Sequence, residues 1–204
     1  MPYSGITGVN MVGLVQKLLF SMIRTMAGEE VLAQIKQQAG IPPAQEYQMN
    51  NVYSDEEWQR LVRVTFSVLG MNEEQGNEAF AAYFLKETIQ RFPTWFSMSK
   101  NSYEFLSMQP TIHNCFATSV LDKTSREAIN DKFRIEQLPN KLITHYRSPN
   151  QHCLLYLHLA QKVVQHFQDE ALIEEKMCMK QGASKCEIHI NWTKLGTSNE
   201  RLSS

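Results

Sequence analysis

The sequence predicts an α+β fold, with a helical N-terminal part packed on a C-terminal part of antiparallel sheet and helices. Three observations lead there. Apolar residues recur at helical spacing through the first two-thirds of the chain. Strand-like alternation replaces that period near Phe133. The alternating segments come as two hairpins separated by a helix, the arrangement of an antiparallel sheet.

From Met11 to Ala27, Val15, Leu18, Leu19, Met22, Ile23 and Met26 recur at helical spacing, and Gly28 stops the run. A short helix follows through Val31, Leu32 and Ile35 and ends at Gly40, before Pro42-Pro43. Ser54 and Glu57 form a capping-box pattern that opens a helix with Trp58, Leu61, Val62, Thr65 and Leu69 on one stripe. Gly70 stops it, and Asn72 caps the next helix, which carries Phe80, Tyr83, Phe84 and Ile89 and fades before Pro93. A segment with Phe105, Leu106 and Met108 follows Ser102; Pro110 interrupts it and starts a second helical stretch. Residues 121–131, LDKTSREAIND, read as a polar surface loop or short helix. Phe133 to Leu138 and Leu142 to Arg147 alternate as strands about a Pro139-Asn140 turn. Cys153 to Phe167 is helical, and Leu172 to Met179 and Lys185 to Trp192 alternate about Gly182. The expected layout is a leader over residues 1–10, one domain over 11–192 and a disordered tail over 193–204.

The 204 residues hold 20 basic and 21 acidic side chains, so charge gives no reason to expect nucleic acid or an anionic membrane as partner. No apolar run approaches the roughly 18 residues of a membrane span. The opening MPYSGITGVN lacks the basic and apolar regions of a secretory signal, which makes a cytoplasmic protein the default reading. Four cysteines, Cys115, Cys153, Cys178 and Cys186, then read as thiols or metal ligands rather than a disulfide frame, with Cys115 a buried small apolar residue. No phosphate loop, metalloprotease helix or nucleophile elbow is present, and the carboxylates are scattered, so an enzyme has little support.

His113 stands out beside Ile112, Phe116 and Val120. It has two readings. One is a hydrogen-bonded core histidine. The other is a neutral imidazole presented to an iron from an apolar surface, as a heme's proximal ligand must be.

Several strings, in order, resemble the H-NOX (heme-nitric oxide/oxygen binding) family over about Met11 to Trp192. They are Met11-Val-Gly-Leu14, Ala27-Gly-Glu-Glu-Val31, Lys36 to Ile41, Tyr53-Ser54-Asp55, Val68-Leu-Gly70, Phe80 to Phe84 and Gln165-His-Phe167. Pro110-Thr-Ile-His113 falls where that family places its proximal histidine. His145-Tyr-Arg-Ser148 falls at its Tyr-x-Ser-x-Arg motif, which holds the heme propionates. The resemblance implies heme b between the two parts of the fold, ligated by His113, with propionates on Tyr146, Ser148 and Asn150. Alternation puts Tyr146 and Ser148 on one strand face and turns Arg147 away. Asn150 stands at the motif's arginine and brings neither charge nor a bidentate fork. Arg147 and Arg134 are the alternatives for that charge. The competing reading makes these ordinary strand residues of a protein that has lost heme.

The resemblance also implies a distal pocket. The position of the tyrosine that steadies bound O₂ in some members is Leu155, and the supporting positions are Leu19 and Phe84. Such an apolar pocket favours NO and CO over O₂, whose partial negative charge needs a donor. Tyr156 is one residue away, and a shift of one in the matching would reverse this reading. In the family, NO weakens the iron–histidine bond and frees the histidine's helix, which shifts two conformational populations. With no cyclase or kinase segment in the sequence, the expected output is a separate histidine kinase or cyclic-dinucleotide enzyme.

Cys178 and Cys186 lie symmetrically about Gly182, so a simple hairpin sets them opposite each other. Some members hold a structural zinc with two such cysteines, a helix cysteine and a histidine; here Cys153 matches the helix ligand and Glu175 the histidine. Ideal alternation puts Glu175 and Cys178 on opposite faces, so a bulge is required. Three metal-free thiols are the alternative, and they define a second functional class, a heme-poor redox switch or interaction module.

Overall fold

The computed structural model describes residues 10–118, 123, 126–127, 133–148, 150 and 152–196. The chain divides into two compact units, residues 1–76 with 113–130, and residues 77–112 with 131–204.

In the first unit, β1 (Asn10–Val12) pairs antiparallel with β2 (Val52–Ser54), a small sheet that sequence periodicity does not announce. Helix α1 (Leu14–Gln38) breaks at Gly28, whose φ of 88° and ψ of 175° suit a residue without Cβ. The expected stop therefore appears as a kink inside one span. The C-terminal end closes through Gly40 at φ 65°, with Ile41 N–H on the Lys36 carbonyl at 2.8 Å. Helix α2 (Asp55–Val68) starts as its sequence says. The Ser54 side chain accepts from Glu57 N–H, and Asp55, Glu56 and Glu57 place negative charge at the positive end of the dipole. Leu18, Leu19, Phe20, Met22 and Ile23 of α1 and Trp58 and Leu61 of α2 are buried. Gln16 is also wholly buried, and neither end of its amide has a hydrogen-bond partner.

Helix α3 (Glu73–Arg91) begins at a reciprocal cap: Gln75 N–H donates to Asn72 Oδ1 at 2.9 Å, and Asn72 N–H to Gln75 Oε1 at 3.0 Å. The division between the units passes through α3 and again through α6 (Gln109–Thr118), where it separates Ile112 from His113. Pro110 sits in the first turn of α6, where its missing N–H costs nothing.

The second unit adds α4 (Pro93–Ser97), α5 (Ser102–Ser107) and an antiparallel sheet of order β3-β4-β6-β5. The strands are β3 (Phe133–Leu138), β4 (Lys141–Tyr146), β5 (Glu170–Met177) and β6 (Cys186–Lys194), and α7 (Cys153–His166) lies between the hairpins. Both turns carry the backbone expected of them, Asn140 at φ 54° and Gly182 at φ 91°. On β4 burial alternates, with Leu142, Thr144 and Tyr146 inward opposite Ile190, Ile188 and Cys186 of β6. That face joins Phe105, Leu106, Tyr156, Ala160, Val163 and Phe167 in one apolar core. Asp169 ties the chain's later part to α5: it accepts from the backbone N–H and hydroxyl of Ser102, whose oxygen also accepts from the Trp192 indole.

Two expectations need correction. Strand β6 continues to Lys194, and Gly196 N–H donates to Asp169 Oδ1 at 2.5 Å, so a disordered tail does not begin at 193. The ladder and the carboxylate hold residues that composition alone made look loose. Cys115 is exposed rather than buried, because it falls on the outward side of α6, where Asn114 and Thr118 are exposed too. Val120 and most of 121–131 lie outside the described residues, as do 1–9 and 197–204. Among the described residues no helix is long and apolar enough to cross a membrane.

Candidate functional site

His113 projects half-buried from the middle of α6, with half-buried Phe116 three residues on. Ala117, on the same helix, is buried against Val12 and Val52. Leu19 is fully buried in α1. These two predicted site residues belong to the first unit. Phe84, Leu155, Tyr146, Ser148 and Asn150 belong to the second. Phe84 is half-buried with its ring edge-on to Phe80 at 5.9 Å, and Leu155 is buried near the start of α7.

The end of β4 and the residues just after it bring Tyr146, Ser148 and Asn150 together. All three are buried, and Arg147 between them is exposed, as alternation requires. Asn150 N–H donates to Ser148 Oγ at 3.3 Å. The Ser148 hydroxyl and the His152 backbone N–H in turn bond the Tyr146 oxygen. A backbone N–H can only donate, so Ser148 accepts from Asn150 and Tyr146 accepts from His152. Burial pushes the Tyr146 hydroxyl well above its ordinary range, which keeps it protonated. The two buried hydroxyls are hydrogen-bonded to each other and form one protonated donor pair. A donor of this kind suits a carboxylate, and the imidazole of His113 suits a ferrous iron, so the donor set fits heme.

Tyr156 is engaged within the second unit. Its buried hydroxyl donates to Gln109 Oε1 at 3.0 Å and lies 2.9 Å from Thr144 Oγ1, while its ring packs on Phe133 at 5.3 Å. Both groups of this network escaped the sequence reading. Thr144 was legible as an inward strand position; nothing in the string marked Gln109.

The cysteine constellation is assembled. Cys153, Glu175, Cys178 and Cys186 bring one ligand atom each to within 4.8 Å of one another. The three sulfurs are buried, with Cys153 Sγ 3.5 Å from Cys178 Sγ. The β5–β6 ladder shifts register between Glu175 and Met177, which is the bulge that the spacing demanded. Glu175 Oε1 is buried beside the thiol cluster and, among the described residues, has no hydrogen-bond partner. Met179 N–H donates to Cys186 Sγ at 3.2 Å, as it would to a metal-bound thiolate. Burial raises the thiols of Cys153 and Cys186 above their usual range, so without a cation they hold their protons. Three sulfurs and one orphaned carboxylate fit zinc. Tyr146 packs in the same cluster, opposite Cys186 in the ladder.

Comparison with curated proteins finds no significant match. Solved structures give the fold. An H-NOX protein from S. oneidensis in the Fe(II)NO state superposes with a TM-score of 0.75 at 20% identity, covering 90% of this chain and 100% of that one. The Shewanella oneidensis SO2144 H-NOX domain in the Fe(II)CO state gives 0.74 at 20% identity, over 90% and 99% of the two chains. An oxygen-binding H-NOX domain related to soluble guanylate cyclases gives 0.72 at 17% identity, over 91% and 96%. The sequence itself matches the haem-NO-binding family over residues 12–175, and the chain therefore belongs to that family.

Proposed function

We propose that this chain is a heme-based nitric oxide sensor that binds NO or CO and signals to a separate partner protein by conformational change. The observation that carries the reading is His113, a half-buried imidazole in mid-α6 where the family string places the proximal ligand. Heme b, when bound, supplies a ferrous iron with one position open to a diatomic gas. His113 would be its only protein ligand. The hydroxyl pair of Tyr146 and Ser148 would donate to a propionate. Leu155, Leu19 and Phe84 would face the gas and offer it no hydrogen bond. Tyr156 is spent on Gln109 and Thr144, which supports the apolar reading of that pocket. Zinc would be held by Cys153, Glu175, Cys178 and Cys186 and would act structurally, as a tetrahedral staple.

The output passes to a cytoplasmic partner, a histidine kinase or a cyclic-dinucleotide enzyme, and the chain itself catalyses nothing. Absorption spectroscopy of the purified protein tests the reading: a Soret band that changes on addition of NO supports it. Absence of heme uptake by the reduced protein rejects it. The second reading, a heme-poor thiol switch, is favoured by the 3.5 Å approach of Cys153 and Cys178 and by Asn150 at the motif's arginine. In that case oxidant would release zinc from a protein without a Soret band.

A further inference from the structure

Helix α6 begins with a buried polar tie. Gln109, its first residue, accepts from the Tyr156 hydroxyl at 3.0 Å. That hydroxyl spends its only hydrogen on Gln109, so its contact with Thr144 Oγ1 at 2.9 Å is a bond in which Thr144 donates. Tyr156 belongs to α7 and Thr144 to β4, so one hydroxyl joins three elements of the second unit. The surroundings make the tie strong. The Tyr156 ring lies among aromatic side chains, its centroid 5.3 Å from that of Phe133 and 6.5 Å from that of the stacked Tyr146. Breaking the bond to Gln109 would leave the hydroxyl with Thr144 as its one partner here, and a hydrogen bond lost in such surroundings is costly. Gln109 and His113 are four positions apart, one above the other on the same helix face.

We infer that the Tyr156 hydroxyl latches the first turn of α6 onto β4 and α7, and so acts as a positioning residue for His113. The latch holds the histidine's helix at its N-terminal end, and Ile112 adds an apolar contact with the same core. Thr144 lies two residues before Tyr146, so the strand that anchors the latch also carries Tyr146 and leads into Ser148. The role in sensing rests on the reading of His113 as iron ligand; the latch itself does not.

Tyr156→Phe removes the hydroxyl and keeps the ring. In heme-free protein, amide hydrogen exchange of residues 111–115 should accelerate by about three- to tenfold, the loss of one hydrogen bond, while β5 and β6 stay unchanged. Gln109→Leu, which cuts the same bond from its half-buried end, should reproduce the pattern. Unchanged α6 exchange in both variants, or an equal rise in β5 and β6, overturns the latch. The second arm uses heme-loaded protein. Tyr156→Phe should shift the iron–histidine stretching band in resonance Raman spectra. It should leave that band unmoved in His113→Gly protein supplied with imidazole, whose ligand is no longer attached to α6. A shift in both backgrounds, or in neither, rejects positioning. Failure to load heme would sink the sensor reading alone, since the exchange arm needs none.

Discussion

Glu175 and Cys178 reach one side-chain cluster although strict alternation would send them to opposite faces, because the β5–β6 ladder slips between Glu175 and Met177. The slip turns a carboxylate toward three sulfurs, and its Oε1 has no hydrogen-bond partner among the described residues. Those four side chains would suit a cation, the zinc proposed above.

Metal analysis should therefore find about one zinc per chain, set by one four-ligand cluster. Cys178→Ser and Cys186→Ser should each abolish binding. Glu175→Gln should weaken it without abolishing it, because three thiolates remain. Zinc-free protein with three freely titrating buried thiols would remove the site from the account.

His113→Ala should strip the Soret band, and added imidazole should partly restore it by filling the space left by the side chain. Heme content equal to that of the parent would show that another residue ligates the iron, with His145 and His158 the next to test.

Asn150→Arg should slow heme loss to apomyoglobin by about tenfold or more, since a charge-assisted bond is worth roughly 1.5–3 kcal/mol. Asn150 is buried beside Ser148, so the new side chain starts next to the hydroxyl pair. An unchanged or faster rate would mean that another basic residue already fills the role.

Reduced protein should bind NO and CO and form no stable oxygen complex in air. Leu155 carries no donor, and the Tyr156 hydroxyl is engaged elsewhere. Leu155→Tyr should introduce a donor and allow O₂ to bind. A persistent oxygen complex in the parent protein would reveal a donor that the pocket residues do not supply.

Gln16→Met should raise thermal or urea stability by on the order of 1 kcal/mol, because it replaces an unsatisfied buried amide with an apolar chain of similar length. A destabilised variant would show that the amide has a partner in solution, such as a trapped water.

Local rules carried most of the fold. Gly28, Gly40 and Gly70 stand at positive φ where the helical runs stop, and Ser54 and Asn72 cap the helices they were expected to open. The β1–β2 pair was invisible because three residues are too few to show a period. The site divides the same way. The shared face of Tyr146 and Ser148 follows from alternation, and so does the need for a bulge beside Glu175. The hydrogen bond between the two hydroxyls, and the bond from Tyr156 to Gln109 across 47 positions, are tertiary facts that no spacing encodes. Cys115 misled because its composition suggests burial while its place on α6 sets its exposure.

Strand β4 and the residues just after it have three clients. Thr144 meets the Tyr156 hydroxyl, Tyr146 packs into the sulfur cluster, and Ser148 accepts from Asn150. These side chains alternate with exposed or half-buried residues on a beam only a few residues long. A substitution that tilts this strand cannot be confined to one of them. The outward side is not idle either, since His145 meets Glu136 at 2.8 Å and Lys185 at 2.9 Å. In a mutational scan the inward triplet should behave as a single inherited character.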